Sequence, residues 1–345
     1  MSKKTVFVGL SGGVDSSVAA KLLQDAGYEV VGVYMKNWSK DLRGMKCPWA
    51  EDLADAKRVA VRLMIDFLVW DFEEVYFDKV VKYMLDEYKL GKTPNPDVIC
   101  NQEIKFKLFF DECLKNGADY VATGHYAKSE NGQLMRAKDE KKDQTYFLYR
   151  VERRTLERTI FPLGDLRKTE VKQLARDSQL HTADRKESMG VCFVGDVEMR
   201  DFLGEYFDAK YGEIIDEQTG KVVGHHKGAL FYTLGQRHGL YLGGGLPYYV
   251  SARDIKQNKV FVTTDLNCES LWKKSVVLEK VHFISGKPSA GRMEVRVRHQ
   301  APLVGATLLE DGKTLVFDDK ERALSSGQSI VFYTGRVTLG GGVIS

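Results

Sequence analysis

Two groups of residues in this chain have types and spacing suited to chemistry. The first is Ser11-Gly12-Gly13-Val14-Asp15-Ser16-Ser17, which follows the apolar run Val6-Phe7-Val8-Gly9-Leu10 and leads into Val18-Ala19-Ala20-Lys21-Leu22-Leu23. A strand, a glycine loop and a helix start make an anion site. The first N–H groups of a helix have no internal partner, and its dipole favours negative charge there. No lysine reaches into the turn and Gly-x-x-x-x-Gly-Lys-Ser/Thr is absent, which argues against a kinase-like γ-phosphate site. Gly-x-Gly-x-x-Gly is missing too, which weakens a dinucleotide reading. An ordinary tight turn with capping Ser and Asp has the same outline. The second group is two thiols. Cys100 lies at a loop-to-helix junction, after Pro94-Asn95-Pro96-Asp97-Val98-Ile99 and before Asn101-Gln102-Glu103. A helix dipole there favours the thiolate, and Asp97 is close enough in sequence to shuttle its proton. Cys192 lies in Ser188-Met189-Gly190-Val191-Cys192-Phe193-Val194-Gly195, whose small residues let backbone approach a ligand. A lone cysteine is more often a small buried hydrophobe, and Cys47, Cys113 and Cys268 keep that reading.

The elements that position these groups change character along the chain. Thr5–Leu10, Glu29–Tyr34, Phe67–Asp71 and Tyr120–Thr123 read as strands. Helices at Ser16–Asp25, Glu51–Leu63, Glu73–Leu90 and Asn101–Lys115 separate them. Alternation of this kind predicts a doubly wound α/β domain with a parallel sheet and ligands at the strands' C-terminal ends. Asn37–Pro48 reads as a polar loop, and two prolines keep Thr93–Asp97 extended. Asn131-Gly132 predicts a hairpin between Tyr126–Ser129 and Gln133–Ala137, and Lys168–Leu180 and Val197–Phe207 predict further helices. From about Gly212 the texture is β, with short runs at Glu213–Ile215, Leu230–Leu234, Tyr248–Ser251 and Lys259–Thr263. A second all-β unit follows from about Ser275. Gly243–Gly245 and Gly340–Gly342 read as turns. The expected division is 1–207, 208–272 and 273–345.

Composition narrows the class. A chain of 345 residues, 43% hydrophobic and 29% charged, is that of an ordinary soluble protein of two or three domains. No apolar stretch approaches membrane-span length and no signal segment opens the chain. The net charge of +3 is mild, so a nucleic-acid surface has to be local. Five scattered cysteines without Cys-x-x-Cys indicate neither a zinc knuckle nor a disulfide framework and predict a cytosolic protein with reactive thiols. Two stretches are candidate RNA surfaces. Arg136–Arg158 interleaves basic residues with Tyr146, Phe147 and Tyr149, a composition suited to a phosphate backbone and unstacked bases. Glu294, Arg296 and Arg298 alternate with Val295 and Val297, which puts a basic face beside His299. A solvated protein face has the same pattern in both.

The seven-residue loop resembles the pyrophosphate loop of the N-type ATP pyrophosphatases, which cleave ATP between its α and β phosphates and adenylate a carbonyl oxygen. Further stretches resemble the bacterial tRNA-specific 2-thiouridylase family. They are Thr93–Phe106, Ala122-Thr123-Gly124-His125-Tyr126, Lys142-Asp143-Gln144-Thr145-Tyr146-Phe147-Leu148, the Cys192 segment, Thr233-Leu234-Gly235-Gln236-Arg237 and Leu339-Gly340-Gly341-Gly342. Two positions depart from that pattern: Met189 where threonine is usual and Thr145 where serine is common.

The resemblance implies a pyrophosphate-loop ATPase domain, a small β-rich central domain and a C-terminal β-barrel. It implies ATP over Gly9, Leu10, Ser11, Gly12, Gly13, Val14, Asp15 and Ser16, with Met35 and Gly124 against the adenosine. Asp15 is the candidate for orienting Mg²⁺ on chemical grounds. Cys192 would carry a persulfide from an upstream sulfur carrier or cysteine desulfurase, and Cys100 would be the nucleophile. Asn95, Pro96 and Asp97 would contact the target base, the wobble uridine of Lys, Glu and Gln tRNAs. Lys142, Asp143, Gln144, Arg298 and His299 would contact the tRNA elsewhere. Two other readings remain open from the residues: a pyrophosphate-loop ligase or amidotransferase-type enzyme adenylating a small metabolite, and a non-catalytic RNA-binding protein.

Overall fold

The computed structural model describes residues 3–42, 47–185, 199–243, 245–286 and 290–345. Its first sheet is parallel. Thr5–Gly9 is central, with Glu29–Lys36 and then Asp66–Asp71 on one side, and Tyr120–Ala122 and then Thr159–Ile160 on the other. Both faces of the central strand are covered, which is why it reads as an unbroken apolar run. Phe7 joins a cluster with Val33, Ile104 and Phe109, while Val6 and Val8 join Val18, Ala19 and Ala56 on the opposite face. Neighbouring strands run away from Thr5–Gly9 in opposite directions, so a crevice opens at its C-terminal end, where such folds bind ligands.

The helix after the Thr93–Asn95 stretch starts earlier than its sequence suggests. Pro96–Ile99 is already helical and runs on through Cys100–Leu108 and Phe109–Lys115, with a kink at Phe106. Asn95 caps it, its side-chain oxygen accepting from the N–H groups of Asp97 (3.1 Å) and Val98 (3.3 Å), with Pro96 at the first helical position. Asn followed by Pro is a helix-start signal. Cys100 is therefore a full turn inside the helix.

The central sheet places Gly212–Asp216, Val222–His226, Tyr249–Asp254 and Lys259–Thr263 together, with one parallel pairing. Leu230–Leu234, expected as a strand, instead begins in the short helical turn Ala229–Phe231. Six antiparallel strands then close into a barrel: Trp272–Phe283, Gly291–Arg296, Val304–Leu308, Thr314–Arg322, Ser329–Thr334 and Val337–Ile344.

One expectation is extended here and others are corrected. The hairpin Ala127–Glu130/Gln133–Arg136 forms as expected, but it extends the barrel sheet, Met135 and Leu134 pairing with Val337 and Thr338. Gly340–Gly342 is not a turn; it lies inside Val337–Ile344. Two of the three Arg136–Arg158 aromatics lie inside the protein and offer no stacking face to RNA, while Phe147 is half-buried. Tyr146 and Tyr149 are 3% and 0% exposed, packed with Val98, Val331 and Tyr333, and their hydroxyls meet Ser329 O (2.8 Å) and Ser329 Oγ (3.2 Å). Their burial joins the first domain to the barrel.

A Cβ on Gly341 would stand 2.5 Å from Ile330 O and 2.8 Å from the Tyr149 ring. Gly341→Ala is expected to destabilise the chain by about 1–3 kcal/mol through overpacking. Thermal unfolding checks this, and an unchanged midpoint would show that the seam between strand and Tyr149 can yield.

Candidate functional site

At the C-terminal ends of Thr5–Gly9 and Tyr120–Ala122 lies a cavity of about 290 Å³. Of the loop residues expected at a ligand, Gly9, Leu10, Ser11, Asp15 and Ser16 line it, as do Met35 and Gly124. Gly12 and Gly13 do not line it, and Val14 is buried in the core on the far side of the sheet. Hydroxyls shape the loop. Ser11 N–H donates to Ser16 Oγ (3.2 Å), and the hydroxyls of Ser16 (3.1 Å) and Ser17 (2.8 Å) donate to Gly13 O. Gly124 sits against the helix start, where a Cβ would be 2.7 Å from Ser16 N; only glycine lets the two strand ends approach this closely.

The opposite wall is apolar and aromatic. Met35, Tyr34, Trp38 and Trp49 line it with Cys47 and Pro48, and Tyr34 donates to Trp49 O (3.1 Å). Burial raises the pKa of the Cys47 thiol and of the Tyr34 phenol. One end of the cavity is thus rich in backbone donors and hydroxyls, and the other presents flat hydrophobic surface. That division suits a nucleotide, with phosphates at the helix start and a base at the aromatic wall.

Several groups that build the site carried no sequence signal. Arg185 clamps the loop from outside: Nη1 donates to Gly12 O (2.7 Å) and Asp55 Oδ2 (2.7 Å), and Nη2 pairs with Asp52. Asp52 faces the cavity, and its carboxyl is pushed up by burial against the opposing pull of Arg185. The lysine missing from the loop itself is supplied from elsewhere, since Lys105 lines the cavity from the Cys100–Leu108 segment. His125 lines it too, with its Nδ1 2.8 Å from Thr123 Oγ1. Burial, with Lys105 as a lesser cause, holds the ring well below the ordinary imidazole range.

Asp15, the candidate for orienting Mg²⁺, is held within the protein. Lys168 Nζ lies 2.7 and 2.8 Å from its two carboxylate oxygens, and Tyr126 Oη donates to Oδ1 at 2.9 Å. Among the described residues no group of three or more His, Cys, Asp or Glu side chains could hold a metal ion. The Asp15 carboxylate thus accepts from one ammonium and one phenol.

Cys100 is 1% exposed, packed in the core with Ile99 and Ile104, and is not part of the cavity lining. Asp97 stands three residues before it on the same continuous helix, a spacing that shares one face. The segment around them is pinned from both other parts of the chain. Arg253 Nη2 donates to Gly91 O (2.7 Å) and Thr93 Oγ1 (3.0 Å), and Thr93 N–H donates to Ser326 O (2.8 Å). Cys192 lies outside the described residues.

The remaining candidates come together from distant parts of the sequence, though not all face outward. Asp143, expected at an RNA contact, is 1% exposed; its carboxylate accepts from Thr145 Oγ1 (3.0 Å), Ala137 N (3.2 Å) and Arg296 Nη1 (3.0 Å). Arg296 is buried as well, whereas Arg298 and His299 are half-buried. Gln144 turns into the cavity, its Oε1 accepting from Tyr126 N (2.9 Å). His299 packs on Phe147 with ring centroids 4.4 Å apart, and the Arg298 guanidinium donates to Ala323 O. Beside them a groove of about 750 Å³ is lined by Arg136, Glu140, Lys141, Lys142, Arg296 and Gln300, among others.

Sheet order, helix-start loop and two-ended cavity define the class as an N-type ATP pyrophosphatase fold carrying a β-barrel. Family models match three successive stretches: a tRNA methyl transferase HUP domain over 4–196, a tRNA methyl transferase PRC-barrel domain over 200–264 and an aminomethyltransferase β-barrel domain over 273–344. The tRNA-specific 2-thiouridylase MnmA of Listeria monocytogenes is 45% identical over 98% of this chain and 94% of its own length. The protein of that name from Alkaliphilus oremlandii is 44% identical over 98% and 96%. A solved 4-thiouridine synthetase–RNA complex with bound ATP is similar at 18% identity and a TM-score of 0.38, over 56% of this chain and 45% of that one. This chain belongs to the MnmA family of tRNA-specific 2-thiouridylases.

Burial lowers the pKa of His125, His226, His282 and His299. In the unfolded chain such groups take protons near 6.5. Protons therefore bind the unfolded state first as pH falls, and stability that is complete above that value is lost on acidification. The melting temperature is expected to be flat from about pH 8 to 7 and to fall steadily towards about pH 5. A midpoint that rose over the acid window would contradict the burial of these rings.

Proposed function

We propose that this protein is a tRNA-uridine 2-sulfurtransferase that replaces the 2-oxygen of the wobble uridine with sulfur at the expense of ATP. A likeness to named 2-thiouridylases that runs through all three parts of the chain carries the reading. The cavity supplies what such chemistry needs.

Carbonyl oxygen leaves poorly, so it is first made a leaving group. ATP lies with its phosphates at Ser11–Ser16 and its base against the Met35 side. The uridine 2-oxygen attacks the α-phosphorus, and pyrophosphate departs into the N–H-lined loop, where the helix dipole and Lys105 offset its charge. Arg185 contributes by fixing the Gly12 carbonyl, which keeps the loop's donors aimed inward. The base must leave its stack to reach this site, at a cost of a few kcal/mol that a single-stranded anticodon loop keeps low. Asn95, Pro96 and Asp97 do not line the cavity and would contact the base outside it; Asn95 also caps the helix that carries Cys100.

Sulfur arrives as a persulfide on Cys192. Whether the terminal sulfur adds to C2 before release or is freed as sulfide first, the balance is the same. Cys100 attacks the Cys192 sulfur, the outer sulfur takes the bonding pair, C2 gains sulfur and AMP leaves. The two cysteines end as a disulfide, which an external dithiol reopens. The buried position of Cys100 requires that its cover be displaced before attack. Asp97 is placed to accept the thiol proton. On the RNA side, Arg136, Lys141 and Lys142 line a groove whose charge suits a phosphate backbone, and Arg298 and His299 fall in sequence between two of its lining residues, Arg296 and Gln300.

Incubation with ATP, bulk tRNA and a persulfide donor, followed by nucleoside analysis, tests this: 2-thiouridine is expected, and AMP formation indifferent to tRNA would overturn it. Cys100→Ser and Cys192→Ser are each expected to abolish thiolation, by at least about 1,000-fold, while tRNA binding persists. Normal turnover by either variant would remove that thiol from the mechanism. Arg298→Ala is expected to weaken tRNA binding and reduce the slope of log affinity against log salt by about 1; an unchanged slope would mean that Arg298 serves only the Ala323 contact.

A further inference from the structure

The barrel reaches the nucleotide cavity through one buried ion pair. Arg296 ends the barrel strand Gly291–Arg296, its side chain 6% exposed, and its Nη1 donates to Asp143 Oδ2 at 3.0 Å. The guanidinium lies over the Tyr333 ring, 5.5 Å from its centroid. Asp143 has no side-chain exposure, and the other guanidinium near it, that of Arg136, is 3.8 Å from the same oxygen. Gln144 comes next in the chain and lines the cavity. Its N–H donates to Tyr126 O and its side chain accepts from Tyr126 N–H, both at 2.9 Å. Tyr126 in turn donates to Asp15 at the start of the loop helix (2.9 Å). Hydrogen bonds and one peptide link therefore run unbroken from Arg296 to the pyrophosphate loop.

We propose that Arg296 is a positioning residue of the nucleotide site: acting through Asp143, the barrel holds Gln144 and Tyr126 in register with the loop. Arg296 does not line the nucleotide cavity, yet ATP binding depends on it. The physical ground is the cost of an unanswered buried charge. Without Arg296 the carboxylate turns to Arg136. That turn disturbs the bonds it accepts from Ala137 and Thr145, and Gln144 moves with them. Small displacements of a group that holds a substrate lower its effect steeply.

The proposal rests on ATP occupying the cavity, as argued above, and titration of the full-length protein with ATP in the absence of tRNA reads it directly. Arg296→Gln is expected to weaken ATP affinity about 10-fold, and Asp143→Asn paired with Arg296→Gln, a neutral hydrogen-bonded couple, to restore it to within about 3-fold of the parent. A purely structural role would lower the melting temperature of Arg296→Gln and leave ATP affinity at the parent value, and that result overturns the proposal. So does a double variant no better than the worse single one. Should Arg296→Gln not fold, Arg296→Lys keeps a charged donor but not the fork geometry, and its expected loss is of the same sign. If the parent binds ATP but forms no thiouridine, the function argued above fails while the Arg296 comparison still stands.

Discussion

A carboxylate shut away from water has to be answered by donors, and Asp143 is where this chain meets that requirement. Its partners come from the hairpin strand end, from the following turn and from a barrel strand some 153 positions downstream. An isolated buried ion would cost several kcal/mol. Satisfying it fixes how the first domain and the barrel sit against each other more narrowly than apolar contact alone could. Around it, Tyr146, Tyr149 and Tyr333 supply the dry surroundings, and burial pushes the pKa of each phenol up. The site's architecture follows: the barrel braces Asp143, whose neighbour Gln144 lines the cavity.

Much of the nucleotide half was legible in the sequence. Parallel strands buried on both faces betray themselves as apolar runs, and the loop's serines and glycines have few other uses at a strand-to-helix turn. The cavity's other half was not legible. Arg185 and Lys105 are ordinary basic residues in ordinary helical or loop context, and only the fold brings them to Gly12 and the cavity. The basic and aromatic stretches misled in one direction. Tyr146, Tyr149, Asp143 and Arg296 have the sequence pattern of a surface for RNA, whereas they form a polar and aromatic seam inside the protein. Composition records which groups are present, not whether their partners lie within the same chain. Gly340–Gly342 shows the same limit: a glycine run signals turn or close packing, and the choice depended on Tyr149, which lies far away in sequence.

The two thiols illustrate separate lessons. Reading Cys100 as a residue at a helix start relied on where the helix begins, and Asn95-Pro96 moved that start back by a turn. A buried thiol in a packed helix is protected from adventitious oxidation, which suits the role proposed for Cys100. Its neighbours, pinned by Arg253 and Ser326, tie the thiol's surroundings to both other parts of the chain. Any partner that shifts those contacts acts on the thiol as well.

The hairpin that leans on the barrel has a bearing on how the chain is made. Arg136 donates its N–H to Arg336 O, and these residues stand 200 positions apart. During synthesis at about 5–20 residues per second, the outer edge of Gln133–Arg136 emerges roughly 10–40 s before its mate. Through that interval a half-finished sheet edge is open to pairing with other nascent chains on the same message. Vectorial growth at the ribosome thus sets a window of exposure that in vitro refolding of the finished polypeptide never experiences, and a chaperone that shields such edges would act on this hairpin first.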